Sequence, residues 1–416
     1  VSSRIKLEKS MIDFSSGANW SARLGAKTNP SHPESTSMSP LRILCLNYEY
    51  PPIGGGGGRA CAGICEALAK TGHSVHVQTT GMKHLPREST INGVEVHRNP
   101  AFRQREDTCS VPEMAAYLAC SIIPTLTHIR RWKPNVIHAH FAVPTGALAW
   151  LVSVLTGIPY VLTAHLGDVP GGVPEQTDKL FKIVAPFTRP IWARASAVTA
   201  VSGFVARLAQ DAYQRSPVII PNGIPLDSRP TITRHDPARI VMVGRLSLQK
   251  NPLLAIHALA ALKGTAWHCD IIGDGPLRAA VEAAIEDAGL VDRVTLRGWL
   301  DSAAVHAHMS HADILLMPSL SEGMPVAAVE ALNHGLAIVC GKIPGMLDVV
   351  EDSINGLTLE LTPLAFTKGL QQLLTHPETL HRMRTASSEK ALSYDIMETS
   401  VAYAQILARA AKTSRD

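Results

Sequence analysis

Residues 41–70 read LRILCLNYEYPPIGGGGGRACAGICEALAK, and the order of residue types in this stretch decides the fold. Ile43 to Leu46 is a short apolar run that suits a buried strand rather than a helix. Tyr50-Pro51-Pro52-Ile53 ends it, five glycines follow from Gly54 to Gly58, and an amphipathic pattern from Ala60 to Lys70, opened by Arg59, predicts a helix. Ser74 to Gln78 then predicts a second strand, which completes a βαβ unit. The rhythm continues with a helix-like piece at residues 146–156 and with strands at Val136 to Ala139 and Tyr160 to Ala164. It starts again after Pro221-Asn222-Gly223-Ile224-Pro225. This second series has strands at Ile240 to Val243, Cys269 to Ile272, Val294 to Leu296, Ile314 to Met317 and Ala337 to Val339, and helices from Pro252, Pro276 and about Met324. Apolar runs joined by helices imply parallel sheets covered on both faces. The fold class is therefore α/β, with two Rossmann-like doubly wound domains facing a cleft and ligands at the carboxyl ends of both sheets.

A chain of 416 residues, 46% hydrophobic and 18% charged, has room for two or three globular domains. Seven cysteines with no CxxC pair argue against a disulfide framework and a zinc module, and favour a reducing cytoplasm. Charge is uneven. Residues 1–229 carry 23 Lys and Arg against 15 Asp and Glu, while the remainder carries 16 against 20. A basic half fits an anionic acceptor or peripheral contact with an anionic membrane at the inner face of the cell, and an ordinary solvated surface accounts for it equally well. Nucleic acid is not expected, because cationic runs interleaved with aromatics are missing and aromatics make up 5%. The uncharged stretch Ala147 to Ala164 is split by Gly157 and Pro159, so it reads as a buried helix and strand rather than a membrane span. Residues 1–37 read as a disordered tail or upstream sequence, with Met38 as the start of the folded pattern.

Several motifs fall at strand ends. Gly54 to Gly58 before a helix form an anion site suited to phosphate, although a flexible turn is an equal alternative. Gly55, Gly57 and Ala60 satisfy a loose GxGxxA pattern, but the second strand ends Val77-Gln78-Thr79-Thr80 without the acid a nicotinamide ribose needs. Arg245 and Lys250, on the loop after a strand, can converge on one diphosphate, the Arg as a fork and the Lys as a point charge. Two solvated loop cations are the plain alternative. Ser319-Leu320-Ser321-Glu322-Gly323-Met324-Pro325 follows the strand Ile314 to Met317, with Pro325 in the first helical turn and Glu330 inside the helix. Eight helical residues would separate Glu322 from Glu330 by roughly 12 Å, which suits two ends of an extended ligand better than a glycosidase pair at about 5 to 9.5 Å.

Taken in order, these motifs resemble glycosyltransferase family 4, the retaining GT-B glycosyltransferases. The likeness spans nearly everything from Leu41 onward. It is carried by the Pro-Pro and glycine-rich opening, Thr163-Ala164-His165-Leu166-Gly167-Asp168, Pro221-Asn222-Gly223-Ile224, Gly244-Arg245 with Lys250, Gly273-Asp274-Gly275-Pro276 and the Glu322/Glu330 pair. The resemblance implies an acceptor domain over residues 38–225, a nucleotide-sugar donor domain over 226–392, and a helix over 393–416 that crosses back to the first. It implies a nucleoside diphosphate sugar as donor substrate, no separate cofactor, and a glycan, lipid-linked or small-molecule acceptor. Arg245 and Lys250 would bind the donor diphosphate, with Gly54, Gly55, Gly56, Gly57 and Gly58 closing over it, and Gly273 and Gly275 would lie beside it. Glu322 would bind sugar hydroxyls with the N–H groups of Gly323 and Met324, Glu330 would hold the ribose, and backbone at Arg297 and Gly298 would meet the base. His165 would touch the donor sugar near the reacting carbon, with Asp168 on the acceptor side. One departure from the family pattern is Pro344-Gly345-Met346-Leu347-Asp348, where a Gly-Gly pair and then Glu is usual.

Other features carry less. His138 and His140 read as structural residues at a strand end before they read as metal ligands, and Cys61 and Cys65, one helical turn apart, as buried helix residues. The apolar helix Met114 to Ile129 reads as core. No DxD motif stands out for a metal on the diphosphate, so no metal is expected there. The sequence thus predicts a cytoplasmic, metal-independent retaining hexosyltransferase. A nucleotide-sugar 2-epimerase of the same fold and a non-catalytic nucleotide-sugar-binding protein are the rivals.

Overall fold

The computed structural model describes residues 39–174, 187–226, 230–262 and 264–413. The tail expected over residues 1–37 lies outside the described residues, as do residues 227–229 of the linker. The described strands sort into two sheets. The first is built from β1 (Arg42–Leu46), β2 (Ser74–Gly81), β3 (Glu88–Ile91), β4 (Val94–Pro100), β5 (Val136–His140), β6 (Tyr160–Ala164), β7 (Ala197–Ala200) and β8 (Val218–Ile219). The second comprises β9 (Ala238–Val243), β10 (Trp267–Ile272), β11 (Val294–Gly298), β12 (Ile314–Met317), β13 (Ala337–Gly341) and β14 (Gly356–Leu359). The helices used below are α1 (Gly56–Lys70), α2 (Val111–Trp132), α3 (Ala147–Thr156), α4 (Gly203–Tyr213), α5 (Pro252–Ala260), α6 (Arg278–Asp287), α7 (Ser302–Ser310), α8 (Val326–Asn333), α9 (Pro363–Thr375), α10 (Pro377–Ala391) and α11 (Ile396–Thr413). Among the described residues no helix is long and apolar enough to cross a membrane.

Strand order is β3-β4-β2-β1-β5-β6-β7-β8 in the first sheet and β11-β10-β9-β12-β13-β14 in the second. In both, the chain winds outward from a central strand and then returns to its other side. Successive helices therefore cover opposite faces, and a crevice opens between β1 and β5 and between β9 and β12 at their carboxyl ends. The second sheet is wholly parallel. The first departs from expectation at one edge, where β3 pairs antiparallel with β4. Asn92 and Gly93 join these strands with φ of 48° and 83°, the two positive values that a tight hairpin turn requires.

Helix starts differ slightly from the sequence reading. α1 opens at Gly56 rather than Arg59, so three of the glycines form its first turn. α6 opens at Arg278, two residues beyond Pro276. Pro325 is extended (φ −71°, ψ 122°) and precedes α8 instead of lying inside it, so the stretch from Glu322 to Glu330 is half loop and its length is not set by helical rise. α2 buries Tyr117, Ser121, Thr125 and Ile129, one stripe at four-residue spacing, as a core helix should.

One apolar cluster runs from Leu44, Leu162 and Val205 around the first sheet to Met324, Ala327 and Met346 around the second, so the two halves share a core. A second cluster, with Ile256, Trp267, Leu316 and Phe366, belongs to the second half alone. The chain passes between the halves near Ile224 and again near Asp395, and the passages are hydrogen-bonded: Ile224 N–H donates to Tyr394 O (2.8 Å) and Ile396 N–H to Ile224 O (2.9 Å). α11 then packs on α1, β5 and β6.

A buried polar knot fixes the entry to the second sheet. Asp313, 1% exposed, accepts from Arg384 Nη1 (2.5 Å) and from the Arg239 N–H (2.8 Å), and lies 3.0 Å from His235 Nδ1. Arg384 also donates to Gly335 O (2.8 Å) and Thr233 O (2.6 Å). Removing one partner strands a buried charge, so Asp313→Ala is expected to lower unfolding free energy by about 3 to 5 kcal/mol. Urea denaturation measures this, and a loss below about 1 kcal/mol would show the knot to be energetically idle.

Candidate active site

The first crevice is lined by the loops after β1 and β5. From Leu46 the chain reaches α1 through Glu49, which turns back so that Oε2 accepts from the Gly55 N–H (3.2 Å). The Gly54 N–H donates to Glu106 O (2.8 Å). Two of the five glycine amides are thus already engaged, leaving Gly56, Gly57 and Gly58, whose N–H groups have no acceptor within their own helix. A Cβ at Gly57 would stand 2.4 Å from Phe141 Cζ, so any side chain there would have to displace that ring. Glu49 Oε1 lies 3.8 Å from Arg103 Nη2. Burial raises the Glu49 carboxyl above its ordinary range, opposed by the Arg103 guanidinium and the Gly55 amide.

The second crevice brings together residues from the loops after β9 and β12. Lys250 Nζ donates to Glu322 Oε1 at 2.6 Å, across 72 residues of sequence, with Glu322 5% exposed. Arg245 is 40% exposed at its side chain and reaches toward the first half, with Nε 4.0 Å from Asp107 Oδ2. That Nε is buried and makes no hydrogen bond among the described residues. Asp107 itself is paired to Arg105 by two contacts of 2.9 and 3.0 Å. Glu330, on α8, has Oε1 3.7 Å from Arg59 Nη1 and from His306 Nε2. Its Oε2 is buried with no hydrogen-bond partner among the described residues, which leaves an acceptor for a ligand hydroxyl.

His165 follows β6 directly. Its ring stacks on Phe141, centroids 4.3 Å apart, and its Nε2 is 3.3 Å from His140 Nδ1. Asp168 Oδ1 accepts from the His165 N–H (2.9 Å) and Oδ2 from the Ala142 N–H (2.7 Å), at 4% exposure. Both oxygens hold backbone, so Asp168 positions the His165 turn. His138 Nε2 is 2.8 Å from Thr163 Oγ1.

The halves meet at this point. A Cβ on Gly323 would lie 3.0 Å from Leu166 Cβ, and Asn222 Nδ2 donates to Met324 O (2.9 Å). Glu322-Gly323-Met324 is thereby seated beside His165-Leu166. Gly345 supports Glu322 from behind, where any Cβ would overlap Glu322 O at 1.7 Å, so the Pro344-Gly345 departure keeps the glycine that contact requires. Asp348 Oδ2 accepts from the Gly203 N–H (3.3 Å).

Gly273 and Gly275 follow β10, and Arg297 and Gly298 end β11. The Gly273 N–H donates to Gly298 O (2.8 Å), and the Gly275 N–H to Asp274 Oδ1 (2.7 Å). These glycines pack a turn whose amides are internally satisfied. The Arg297 side chain turns to Asp270 (2.8 Å). Glu49, Asp107 and His306 stand beside the expected site residues without having been singled out, and Arg103, its side chain wholly buried, lies behind Glu49. The dense charged run Arg103 to Asp107 was the available signal.

Residues 55–223 match the family model for a glycosyl transferase 4-like domain, and residues 225–390 the model for glycosyl transferases group 1. A 2-deoxystreptamine glucosyltransferase from Streptomyces kanamyceticus is 30% identical over 318 residues, covering 69% of this chain and 81% of its own. This chain belongs to the family 4-like GT-B glycosyltransferases. Sucrose-phosphate synthase from Thermosynechococcus elongatus shares the glycosyltransferase fold at TM-score 0.77 and 18% identity, covering 88% of this chain and 98% of that one. HepE from Anabaena, solved with UDP and glucose, does so at TM-score 0.70 and 18% identity, over 89% and 100%.

In this glycosyltransferase, burial pulls His165 and Asp168 in opposite directions. Burial first, and His140 second, lower the His165 pKa to about 3. The unfolded chain then takes the proton first, and this contribution to stability is lost as pH falls from about 6.5 toward 3. Burial raises Asp168 to about 7 despite its backbone donors. Here the folded state takes the proton first, so the contribution is present at low pH and lost as pH rises through 7. Between pH 7 and 5 the two slopes oppose. Relative to the unsubstituted enzyme, His165→Gln should lose stability less on acidification across that window and Asp168→Asn more, each by about 2 kcal/mol. Urea titrations at both pH values test this, and parallel profiles would refute it.

Proposed function

We propose that this glycosyltransferase moves a sugar from a nucleoside diphosphate to a hydroxyl of a glycan, lipid-linked or small-molecule acceptor, with retention at the anomeric carbon. The observation that carries the reading is the 2.6 Å contact between Lys250 and Glu322 at the crevice of the second sheet. It sets a cation suited to phosphate directly beside a carboxylate suited to sugar hydroxyls, the spacing a sugar diphosphate presents. Arg245, with an unengaged Nε, adds a second cation, and the first turn of α1 adds N–H groups from the other half. The UDP and glucose held by HepE, and the glucosyl transfer named for the Streptomyces relative, agree with this donor class.

Charge develops on the departing diphosphate as the glycosidic bond breaks, and Arg245, Lys250 and the helix terminus are arranged to stabilise it. Lys250 then shifts from Glu322 toward phosphate, freeing Glu322 to accept from donor hydroxyls. His165, neutral at physiological pH, offers the sugar a hydrogen-bonding and stacking surface without charge. Glu330 Oε2 receives a ribose hydroxyl. The acceptor attacks the face that the diphosphate leaves, and the leaving phosphate takes the acceptor's proton.

A thermal-shift panel of UDP, GDP, ADP and their sugars identifies the donor, since a ligand of the folded state raises apparent stability with concentration over Kd. With that donor, Arg245→Ala and Lys250→Ala should each lower kcat by about 10²- to 10³-fold while circular dichroism stays unchanged. Wild-type rates in either variant would overturn the diphosphate assignment. NMR of the product should show the donor's anomeric configuration, and inversion would refute retention. Because protein cations serve the leaving group, EDTA should leave turnover at 25 °C unchanged. Activity abolished by EDTA and restored by Mg²⁺ would count against that charge assignment.

A further inference from the structure

Away from the cleft, on the outer strands of the first sheet, three imidazoles converge. β2 and β4 are parallel neighbours whose register sets His76 opposite Glu95 and Gln78 opposite His97. Strand alternation therefore projects His76 and His97 from one face. α2 adds His128 and Trp132 from its carboxyl-terminal end. One ring nitrogen from each histidine lies within 4.8 Å of the other two. His76 Nδ1 and His128 Nε2 are 3.0 Å apart, and the His76 ring stacks on Trp132 with centroids 3.7 Å apart and planes 15° apart. His97 Nε2 is buried and has no hydrogen-bond partner among the described residues.

The surroundings complete a pattern. Glu95 Oε2 is 3.2 Å from His76 Nε2 and 3.8 Å from His97 Nε2, and Glu88 Oε1 is 3.4 Å from His97 Nδ1. A carboxylate that accepts from one ring nitrogen fixes the tautomer and leaves the opposite nitrogen's lone pair turned inward, the outer-sphere arrangement of metal-bound histidines. Without a cation the cluster satisfies itself poorly, since one His76–His128 hydrogen bond still leaves His97 Nε2 unpaired.

The geometry points to a binding site for one Zn²⁺ ion, held by His76, His97 and His128 with water in a fourth position and with Glu95 and Glu88 orienting the rings. Zinc takes imidazole nitrogen at about 2.0 to 2.1 Å in tetrahedral array, which spaces its ligands by roughly 3.3 Å. The 3.0 Å pair is already near that value, and His97, with a ring nitrogen within 4.8 Å of both, closes the remaining gap by side-chain rotation. On binding, the neutral His128 ring moves its single proton from Nε2 to Nδ1 by exchange with solvent, which frees the Nε2 lone pair for the ion. The ion pins the end of α2 to β2 and β4, and it takes no part in transfer chemistry at the cleft. Ni²⁺ and Cu²⁺ suit the same donors.

The test uses the full-length, untagged enzyme, freed of metal with EDTA and desalted. Zinc titrated against a chromogenic chelator should show one equivalent bound and should raise Tm. His97→Ala and His128→Ala should each weaken binding at least about ten-fold and abolish the Tm shift. Ni²⁺ should quench tryptophan fluorescence, and Trp132→Phe should remove most of that quenching while leaving stoichiometry unchanged. His97 lies partly exposed on the sheet, so its variant keeps the test open if His128→Ala fails to fold. Absence of zinc binding would overturn the proposal. So would binding that survives both histidine substitutions, or that disappears in Cys45→Ser, which would move the ion to the buried Cys45, Cys61 and Cys65 cluster.

Discussion

A backbone N–H in the first turn of a helix has no acceptor inside that helix, and in a parallel sheet those groups cannot be scattered. Each helix that returns the chain to the next parallel strand begins at the carboxyl edge, so unsatisfied donors collect along one rim of each sheet. Two such rims face one another here, α1 from one side and α8 from the other, with Gly56 close enough to Val326 that a Cβ would touch it at 3.6 Å. The electropositive rim is partly balanced by the protein's own carboxylates. Glu49 takes the Gly55 amide, and Glu322 takes Lys250. An anionic ligand of the kind proposed above would exchange partners with existing anions rather than enter a bare positive field.

The two buried groups in the turn after β6, His165 and Asp168, divide the labour differently from what their residue types suggest. A histidine at a sugar-transfer site invites a cationic or proton-shuttling role, yet desolvation and His140 keep His165 uncharged. Positive charge is left to Arg245 and Lys250, on the opposite wall. Asp168, which invites a role as base, is consumed in holding the β5 and β6 loops together through Ala142 and His165. Its function is to fix where the imidazole stands.

Much of this was legible in the sequence because the periodic signals are local. The strand, glycine run and helix over residues 41–70 and the repeat of that rhythm after Pro221 are read from neighbours in the chain, and the central strands appear close to where they were expected. The β3–β4 hairpin was written in Asn92-Gly93 but sits in a polar edge where hydrophobic alternation is weak. The starts of α1 and α8 slipped by a few residues because glycine and proline mark a boundary without saying on which side the hydrogen bonds begin. What stayed hidden is pairwise. Glu322 and Lys250 were each visible, but their contact spans 72 residues, and nothing local joins Arg245 to Asp107 or Arg59 to Glu330. Nor does the glycine motif reveal that the amides of Gly273 and Gly275 donate to Gly298 O and Asp274 Oδ1.

The paired passages at Ile224 and Asp395 have a consequence for how the molecule can be taken apart. Because α11 is laid on α1, β5 and β6, the half that holds the glycine-rich turn is assembled from two distant segments of the chain, with the other half inserted between them. Cutting the gene at the linker near residue 230 would not yield two self-sufficient pieces. The first would lack the helix that covers its central strands, and the second would carry that helix with its apolar face exposed to water. A separable second half would have to run from about residue 226 to residue 392, and a separable first half would need residues 393–413 grafted behind Ile224, a splice the existing 2.8 and 2.9 Å contacts already hold in register.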